Sequence, residues 1–348
     1  MKKERVLYYD IINIFAIVSV IALHCNGIVH LNPSIRAWNT SLIVECLFYA
    51  AVPLFFMLSG ATLMNYRDKY DTKTFFKKRI IKCLIPFISW ICIMLLWKIF
   101  VIKKISINSI NSIGNLLNVV FSNQEESTYY FMFQLFGLYL IMPLLSLLTK
   151  KEYRKTLYLI VFLYFIFNGL IPNILQLFNI YYNTSFSVPI GYYVAYAVLG
   201  YLVSTEKFIA LKYKIILGIG AIIGILYRYI ITYILSKSSG IVIEKVWGYS
   251  SWHCILLTLF IFIIIKDSNK IIALAKNKRI SSIITKISSC SFGIYLIHQI
   301  VMYYERILFN INVYSWQWRT LGILSTYFIS LLIVYGFKKI PILNKIVP

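Results

Sequence analysis

Ten apolar stretches of nearly membrane-spanning length follow one another along the chain, separated by short polar segments. A helix needs about 20 predominantly apolar residues to cross the hydrocarbon core of a bilayer. The pattern predicts an all-α, polytopic membrane bundle of about ten transmembrane helices, forming one membrane-embedded domain over residues 1–348 with no separate soluble domain. The predicted helices cover residues 6–28, 42–65, 80–102, 129–148, 156–175, 189–204, 213–235, 250–266, 287–309 and 319–337.

Lysine and arginine are distributed unevenly over the polar segments. When the N terminus is placed in the cytoplasm, 26 of the 35 lysines and arginines fall on the cytoplasmic side, at both termini and in every second loop. Cytoplasmic loops of membrane proteins carry such an excess of positive charge. The distribution predicts an even number of helices, with both termini in the cytoplasm, in a multi-pass protein.

The composition agrees with this interpretation. Hydrophobic residues make up 60% of the chain and charged residues 14%, whereas soluble domains are about 45–50% apolar and about 25% charged. The net charge of +23 would favour nucleic-acid binding in a soluble protein, but basic residues in short loops indicate topology, so no nucleic-acid partner is expected. The six cysteines are scattered without paired spacing, so neither disulfides nor a metal site is expected.

Three polar side chains, Asp10, Asn13 and His24, interrupt the first apolar stretch. This stretch lacks a clear small-residue cleavage site and is interpreted as a retained helix. At about 100° per residue, Asn13 lies about 20° and Asp10 about 40° from the direction of His24. The three residues share one helix face, which must point into the protein because ionisable groups are costly in lipid. His24 is a candidate general base or nucleophile; the alternative is a hydrogen bond to a neighbouring helix.

A basic cluster precedes the third predicted helix, in the segment FFKKRIIKCLIPF. Arg79 and Lys82 are three residues apart on one helical side, and Lys78 is their neighbour. Such side chains are suited to binding the phosphates of a cytoplasmic donor. The alternative is that they only anchor the helix at the membrane surface.

Other polar residues lie in apolar surroundings. His298, in SFGIYLIHQ, is either a catalytic residue or a helix-packing residue. Arg228, midway through the seventh predicted helix, needs an interior partner, for which Glu45 in the second helix is the candidate. The longest predicted outside segment, residues 103–128, is a candidate lid or acceptor-facing element.

Six segments, in this order and at similar separations, resemble the acyltransferase-3 family of integral membrane acyltransferases, and most closely its branch of bacterial surface-polysaccharide O-acyltransferases. The segment YYDIINIFAIVSVIALH resembles the family's first helix, AVPLFFMLSGATL its second, and FFKKRIIKCLIPFISW the basic start of its third. The segments FMFQLFGLYLIMPLL, GYYVAYAVLGYLV and SSCSFGIYLIHQIVM resemble later helices. The resemblance covers nearly the whole chain.

The resemblance implies transfer of an acetyl group from cytoplasmic acetyl-CoA to a hydroxyl of a cell-envelope glycan or its lipid-linked precursor. It also implies a multi-pass protein of the bacterial cell membrane, surrounded by membrane lipids. A homo-oligomer is compatible with it. The resemblance also implies that His24 is the catalytic residue, with Asp10 and Asn13 on the same stripe, and that Arg79 and Lys82 bind the CoA phosphates. Lys78 is assigned to the same donor site.

Two positions depart from the family's pattern. Relatives usually have an arginine where this chain has Asn13, so one charge is missing from the expected donor channel. Relatives often have histidine and tryptophan where this chain has Thr128 and Tyr130, in a region that the resemblance places near the acceptor; the alternative is an ordinary interfacial substitution. Tyr130 is assigned to acceptor binding together with Glu45 and His298.

Two other function classes remain open: a transporter whose polar stripe coordinates its substrate, and a non-catalytic subunit of an envelope-glycan assembly complex. Transporters often contain inverted repeats and broken midplane helices, and neither is evident in the sequence. Within the acyltransferase class, His24 either deprotonates the acceptor for direct attack or is itself acylated. Asp10 lies about 21 Å from His24 along the helix, too far for a direct hydrogen bond.

Overall fold

The structure is a computed structural model that describes residues 6–124 and 126–348. Residues 1–5, whose basic side chains contribute to the predicted cytoplasmic N terminus, lie outside the described residues, as does Glu125 in the predicted outside segment. Every regular element within the described residues is helical. The predicted all-α class is therefore confirmed.

Sixteen α-helices lie within the described residues. They are α1 Leu7–Cys25, α2 Trp38–Phe48, α3 Ala51–Leu63, α4 Thr72–Arg79, α5 Ile85–Leu96, α6 Ile113–Phe121, α7 Tyr130–Leu147, α8 Arg154–Tyr164, α9 Ile171–Leu177, α10 Tyr192–Thr205, α11 Leu211–Ser239, α12 Trp252–Lys266, α13 Asn269–Lys276, α14 Lys278–Ser289, α15 Ser291–Leu308 and α16 Leu321–Phe337. Several of them are joined through short 3₁₀ or π-helical turns into longer helical stretches.

Six helical stretches of the described chain are long and apolar enough to cross a bilayer, and α14 and α15 together form a seventh that is bent by 53°. The six are Leu7–Cys25, Trp38–Asp68, Thr72–Val101, Ser127–Leu147, Lys151–Leu177 and Leu211–Ser239. The remaining predicted positions are occupied by α10, α12 and α16, with 14, 15 and 17 residues, fewer than the roughly 20 of a typical span. The chain is a multi-pass membrane protein; ten crossings and cytoplasmic termini stay predictions.

Hydropathy does not detect interruptions inside an apolar run, and the described chain contains several, among them the π-helical turn Phe165–Leu170 in the fifth predicted helix. The second predicted helix is divided into α2 and α3, and the third contains the π-helical turn Ile80–Leu84 between α4 and α5. The ninth is broken between α14 and α15, a break that is not evident in the sequence. Single π-helical turns such as Ile80–Leu84 often occur at functional sites.

Helix α1 runs through the centre of the bundle and packs against α2, α3, α12, α14, α15 and α16. Its Asp10 is buried. The polar face of α1 therefore points into the protein, as the residue spacing predicts.

Helices α3 and α10 are in direct backbone contact. A Cβ atom on Gly60 would lie 1.8 Å from the carbonyl oxygen of Ala197, and one on Gly200 would lie 1.9 Å from that of Met57. Small residues allow such close approach of membrane helices. This contact holds α3, which supplies one wall of the site described next, against the rest of the bundle.

Candidate active site

His24 and His298 form a pair in the interior of the bundle. The Nδ1 atom of His24 lies 2.7 Å from the Nε2 atom of His298, and the two rings are nearly parallel, at 13°, with centroids 4.9 Å apart. Helix α1 carries His24 and α15 carries His298, so the pair forms only when these two helices pack together. Both residues are candidates from their position in apolar segments, but nothing in the sequence predicts that they are in contact.

The hydrogen bonds of His298 assign the protons on both rings. Its Nδ1 atom lies 2.7 Å from the carbonyl oxygen of Tyr295, and a carbonyl can only accept, so this nitrogen carries a proton. In the neutral ring the Nε2 atom of His298 then accepts from Nδ1–H of His24. The Nε2 atom of His24 is left with a lone pair, which is the form needed for a general base or nucleophile.

His24 lines a small cavity of about 40 Å³, here called the His24 chamber. Tyr130 and Tyr249 line it as well, with their hydroxyl oxygens 3.1 Å apart. Tyr295 lines it too and donates its hydroxyl proton to the carbonyl oxygen of Thr128 at 2.6 Å. The chamber therefore combines one basic nitrogen with several hydroxyl groups in a confined space.

A second cavity, of about 580 Å³ and here called the large cavity, is lined by Asp10, Asn13, Arg79 and Lys82. These four residues come from the two motifs that the sequence analysis assigned to catalysis and donor binding. The guanidinium group of Arg79 lies 5.6 Å from the ring centroid of Tyr139, and its Nε atom is buried without a hydrogen-bond partner among the described residues. The large cavity thus offers a cation that is available to an anionic ligand.

Three aromatic side chains, Phe55, Phe131 and Tyr295, line both cavities and are here called the aromatic partition. The ring centroids of Phe55 and Phe131 are 5.6 Å apart, and those of Phe131 and Tyr295 are 5.5 Å apart. Only these side chains are common to the two linings. A ligand that binds in the large cavity can therefore reach His24 by passing or displacing the aromatic partition.

Asp10 and Asn13 fasten α1 to α14. The carboxylate of Asp10 accepts a hydrogen bond from Thr285 at 3.0 Å. The side-chain amide of Asn13 donates to both the carbonyl and the hydroxyl oxygen of Ser288, each at 2.9 Å. Both residues line the large cavity, whereas His24 lies in the chamber beyond the partition.

A sequence model of the acyltransferase-3 family, described as an acyltransferase domain, matches residues 6–335. The chain belongs to the acyltransferase-3 family. The match includes both cavities except for Lys338 and Pro348, which also line the large cavity. No curated protein and no solved structure matches the chain.

In this acyltransferase-3 chain, Lys78 and Glu45 line neither cavity. The ammonium group of Lys78 lies over the ring of Tyr70, 3.8 Å from its centroid, and Lys78 lines neither cavity. Glu45 accepts a hydrogen bond from Arg228 at 3.3 Å, with both side chains buried. The predicted pairing of Arg228 with Glu45 is confirmed, and it occupies the carboxylate that the sequence analysis assigned to the acceptor.

A buried ion pair holds the segment that covers the His24 chamber. Lys98 lies 3.4 Å from Glu126, and Glu126 accepts hydrogen bonds from the backbone and hydroxyl of Thr128. The next residue, Tyr129, donates its hydroxyl proton to the carbonyl oxygen of Leu296 at 2.9 Å. The end of the predicted outside segment is thereby fixed against α15, beside the histidine pair.

Sequence reasoning missed several lining residues: Tyr249, Tyr295, Ser288, Ser291 and Lys338. Tyr295 alone has a recognisable signal, because it precedes His298 by one helical turn in the family-like segment. The others are identified only by the packing of distant helices.

Proposed function

We propose that this acyltransferase is a membrane O-acetyltransferase that moves acetyl from acetyl-CoA to a hydroxyl of a cell-envelope polysaccharide or of its lipid-linked precursor. The observation that carries the proposal is the arrangement of the two cavities, in which a basic cavity leads across the aromatic partition to a chamber with an available histidine nitrogen. A phosphate-bearing thioester requires both features, because its charged end and its reactive end lie far apart.

The donor end of the site is the large cavity. Arg79 and Lys82 bind the phosphates, since a guanidinium and an ammonium form charge-assisted hydrogen bonds with phosphate oxygens. Both residues are on the side of the bundle that the charge distribution predicts to be cytoplasmic, where acetyl-CoA is available. The pantetheine arm extends along the wall formed by α1 and α15, and the thioester crosses the aromatic partition.

His24 performs the chemistry with its Nε2 atom. In direct transfer, it takes the proton of the acceptor hydroxyl, whose oxygen attacks the thioester carbonyl, and it returns the proton to the departing CoA thiolate. In a relay, the same nitrogen attacks the carbonyl, CoA leaves, and the acceptor hydroxyl then takes the acetyl group from the ring. Both routes form an acetyl ester and free CoA, and both need the lone pair on Nε2.

His298 and the tyrosine pair support this chemistry. His298 accepts from Nδ1–H of His24, which orients the ring and stabilises the positive charge that the ring acquires, as the third member does in a catalytic triad. Tyr130 and Tyr249 have two hydroxyl protons, and one of them forms the hydrogen bond between the two hydroxyl oxygens. The other is available to the carbonyl oxygen of the thioester as negative charge develops on it.

The test is turnover by the purified protein with acetyl-CoA labelled in the acetyl group. Wild type should release CoA and transfer label to an acceptor glycan, and His24→Ala should abolish both. His30→Ala is the matched control, because His30 is exposed, interacts with Glu244 and lines neither cavity. Unchanged turnover in folded His24→Ala protein would contradict the proposal. A transporter would move its substrate into proteoliposomes without consuming acetyl-CoA.

A further inference from the structure

The break between α14 and α15 places a group of serines in the wall of the large cavity. Helix α14 ends at Ser289 and α15 begins at Ser291, with a 53° bend between them. Ser288, Ser289 and Ser291 all line the large cavity. Neither the predicted phosphate contacts nor the histidine chemistry uses this part of the wall.

Ser291 is the informative member of this group. The residue is only 3% exposed, and its hydroxyl oxygen is buried without a hydrogen-bond partner among the described residues. Buried polar atoms are nearly always paired, so an unpaired one that lines a cavity indicates a missing partner. A ligand in the large cavity can supply that partner.

The half-buried Asn13 contributes a second polar group near the same break. Its amide nitrogen donates to Ser288, while its carbonyl oxygen accepts no hydrogen bond from the described residues. Asn13 lines the large cavity beside the apolar side chains of Leu58 and Leu135. This part of the cavity therefore presents two neutral polar groups within apolar walls, separate in kind from the cations Arg79 and Lys82.

The position of Ser291 relative to the histidine pair limits what the ligand can be. Ser291 precedes His298 by seven residues on α15, about 10 Å along the helix axis. An extended chain advances about 3.5 Å for every three bonds, so the seven bonds between the sulfur and the outer amide nitrogen of pantetheine span about 8 Å. A thioester at the His24 chamber thus brings the outer amide to the level of Ser291.

We propose that Ser291 and the carbonyl oxygen of Asn13 form a neutral subsite for the pantetheine arm of the donor. The hydroxyl of Ser291 hydrogen-bonds the outer amide, and the carbonyl oxygen of Asn13 accepts from the secondary hydroxyl that follows this amide toward the phosphates. This inference rests on the proposed acyl-thioester donor. The subsite selects the uncharged part of that donor, whereas Arg79 and Lys82 bind only its phosphates.

The test compares three acetyl donors that lose one recognised part at a time. Acetyl-CoA has phosphates and both amides, S-acetylpantetheine lacks the nucleotide and its phosphates, and S-acetyl-N-acetylcysteamine also lacks the outer amide. Ser291→Ala should lower kcat/KM about fivefold for the first two donors, the effect of one neutral hydrogen bond. For S-acetyl-N-acetylcysteamine, Ser291→Ala should have the same kcat/KM as wild type. Arg79→Gln should instead affect acetyl-CoA alone.

Ser330→Ala is the matched control. The Ser330 hydroxyl is also fully buried and unpaired among the described residues, but Ser330 does not line the large cavity. Ser330→Ala should therefore have the wild-type kcat/KM for all three donors. Ser291→Ala removes no hydrogen bond within the described chain, so it should fold. Binding of CoA and of pantetheine, measured by calorimetry, should weaken by the same factor in Ser291→Ala.

Two results would overturn the inference while the proposed function stands. One is an equal loss in Ser291→Ala for all three donors, and the other is no loss for acetyl-CoA and S-acetylpantetheine. Failure of wild type to use any of the three donors would instead reject the proposed function, and the inference with it.

Discussion

Replacement of His298 tests whether the histidine pair works as a unit. In His298→Leu, the Nδ1–H group of His24 loses an acceptor at 2.7 Å in a buried site, and the ring is no longer held in the form with a lone pair on Nε2. Hydrogen bonds that involve a charged group contribute about 1.5–3 kcal/mol, and each 1.4 kcal/mol changes a rate about tenfold. We therefore expect kcat to fall about 10- to 100-fold.

The KM for acetyl-CoA should change little in His298→Leu, because His298 lines neither cavity. His298→Gln should retain more activity than His298→Leu, since the glutamine carbonyl oxygen can accept from Nδ1–H of His24. Steady-state release of CoA, followed with a thiol reagent, measures both constants. His253→Gln is the control, since His253 is also a buried histidine and lies 2.9 Å from a carbonyl oxygen, that of Val246.

Wild-type kcat in folded His298→Leu protein would refute this reasoning. A rise in KM with unchanged kcat would refute it as well, because such a result assigns His298 to donor binding. Thermal unfolding in detergent, recorded for each variant, separates loss of activity from loss of structure.

Three further predictions concern the donor site, the aromatic partition and the interior ion pair. Arg79→Gln should raise the KM for acetyl-CoA about 10- to 100-fold, which is the effect of losing a charge-assisted hydrogen bond. Lys78→Gln removes the same charge outside the cavity and should leave KM unchanged. Equal effects of the two substitutions would contradict the assignment of Arg79 to phosphate binding. Phe55→Ala should open the partition and raise the ratio of butyryl-CoA to acetyl-CoA turnover; an unchanged ratio would show that Phe55 does not limit acyl size. Arg228→Met should destabilise the protein by about 3–5 kcal/mol, because it leaves Glu45 buried without its partner. Adding Glu45→Leu should restore part of the lost stability. Thermal unfolding in detergent measures the stability of the single and the double variant.

Much of the architecture follows from local properties of the sequence. Apolar runs determine where helices lie, because each residue in a bilayer must satisfy its own backbone polar groups within its helix. The spacing of Asp10, Asn13 and His24 determines that they share a face, since the helix repeat is constant. The cost of a charge in lipid is enough to predict that Arg228 has an interior partner. These predictions need no knowledge of how the helices pack.

Hydropathy was less informative about where a helix is interrupted. The break at Ser289–Ser291 and the division of α2 from α3 depend on packing against neighbouring helices, and an apolar run looks the same with or without them. The count of ten crossings therefore rests on run length, while the structure contains six to seven stretches of full length among the described residues.

The candidate site is decided by tertiary structure. His24 and His298 are 274 positions apart, and no periodicity within either helix specifies that their rings meet. The direction of a side chain is equally invisible in the sequence: Arg79 lines the large cavity while its neighbour Lys78 lies on Tyr70. The sequence by itself determined which residues are too polar to face lipid. Only the packing of α1, α3, α7 and α15 decided which of them meet around one chamber, because contacts between distant helices depend on the whole bundle.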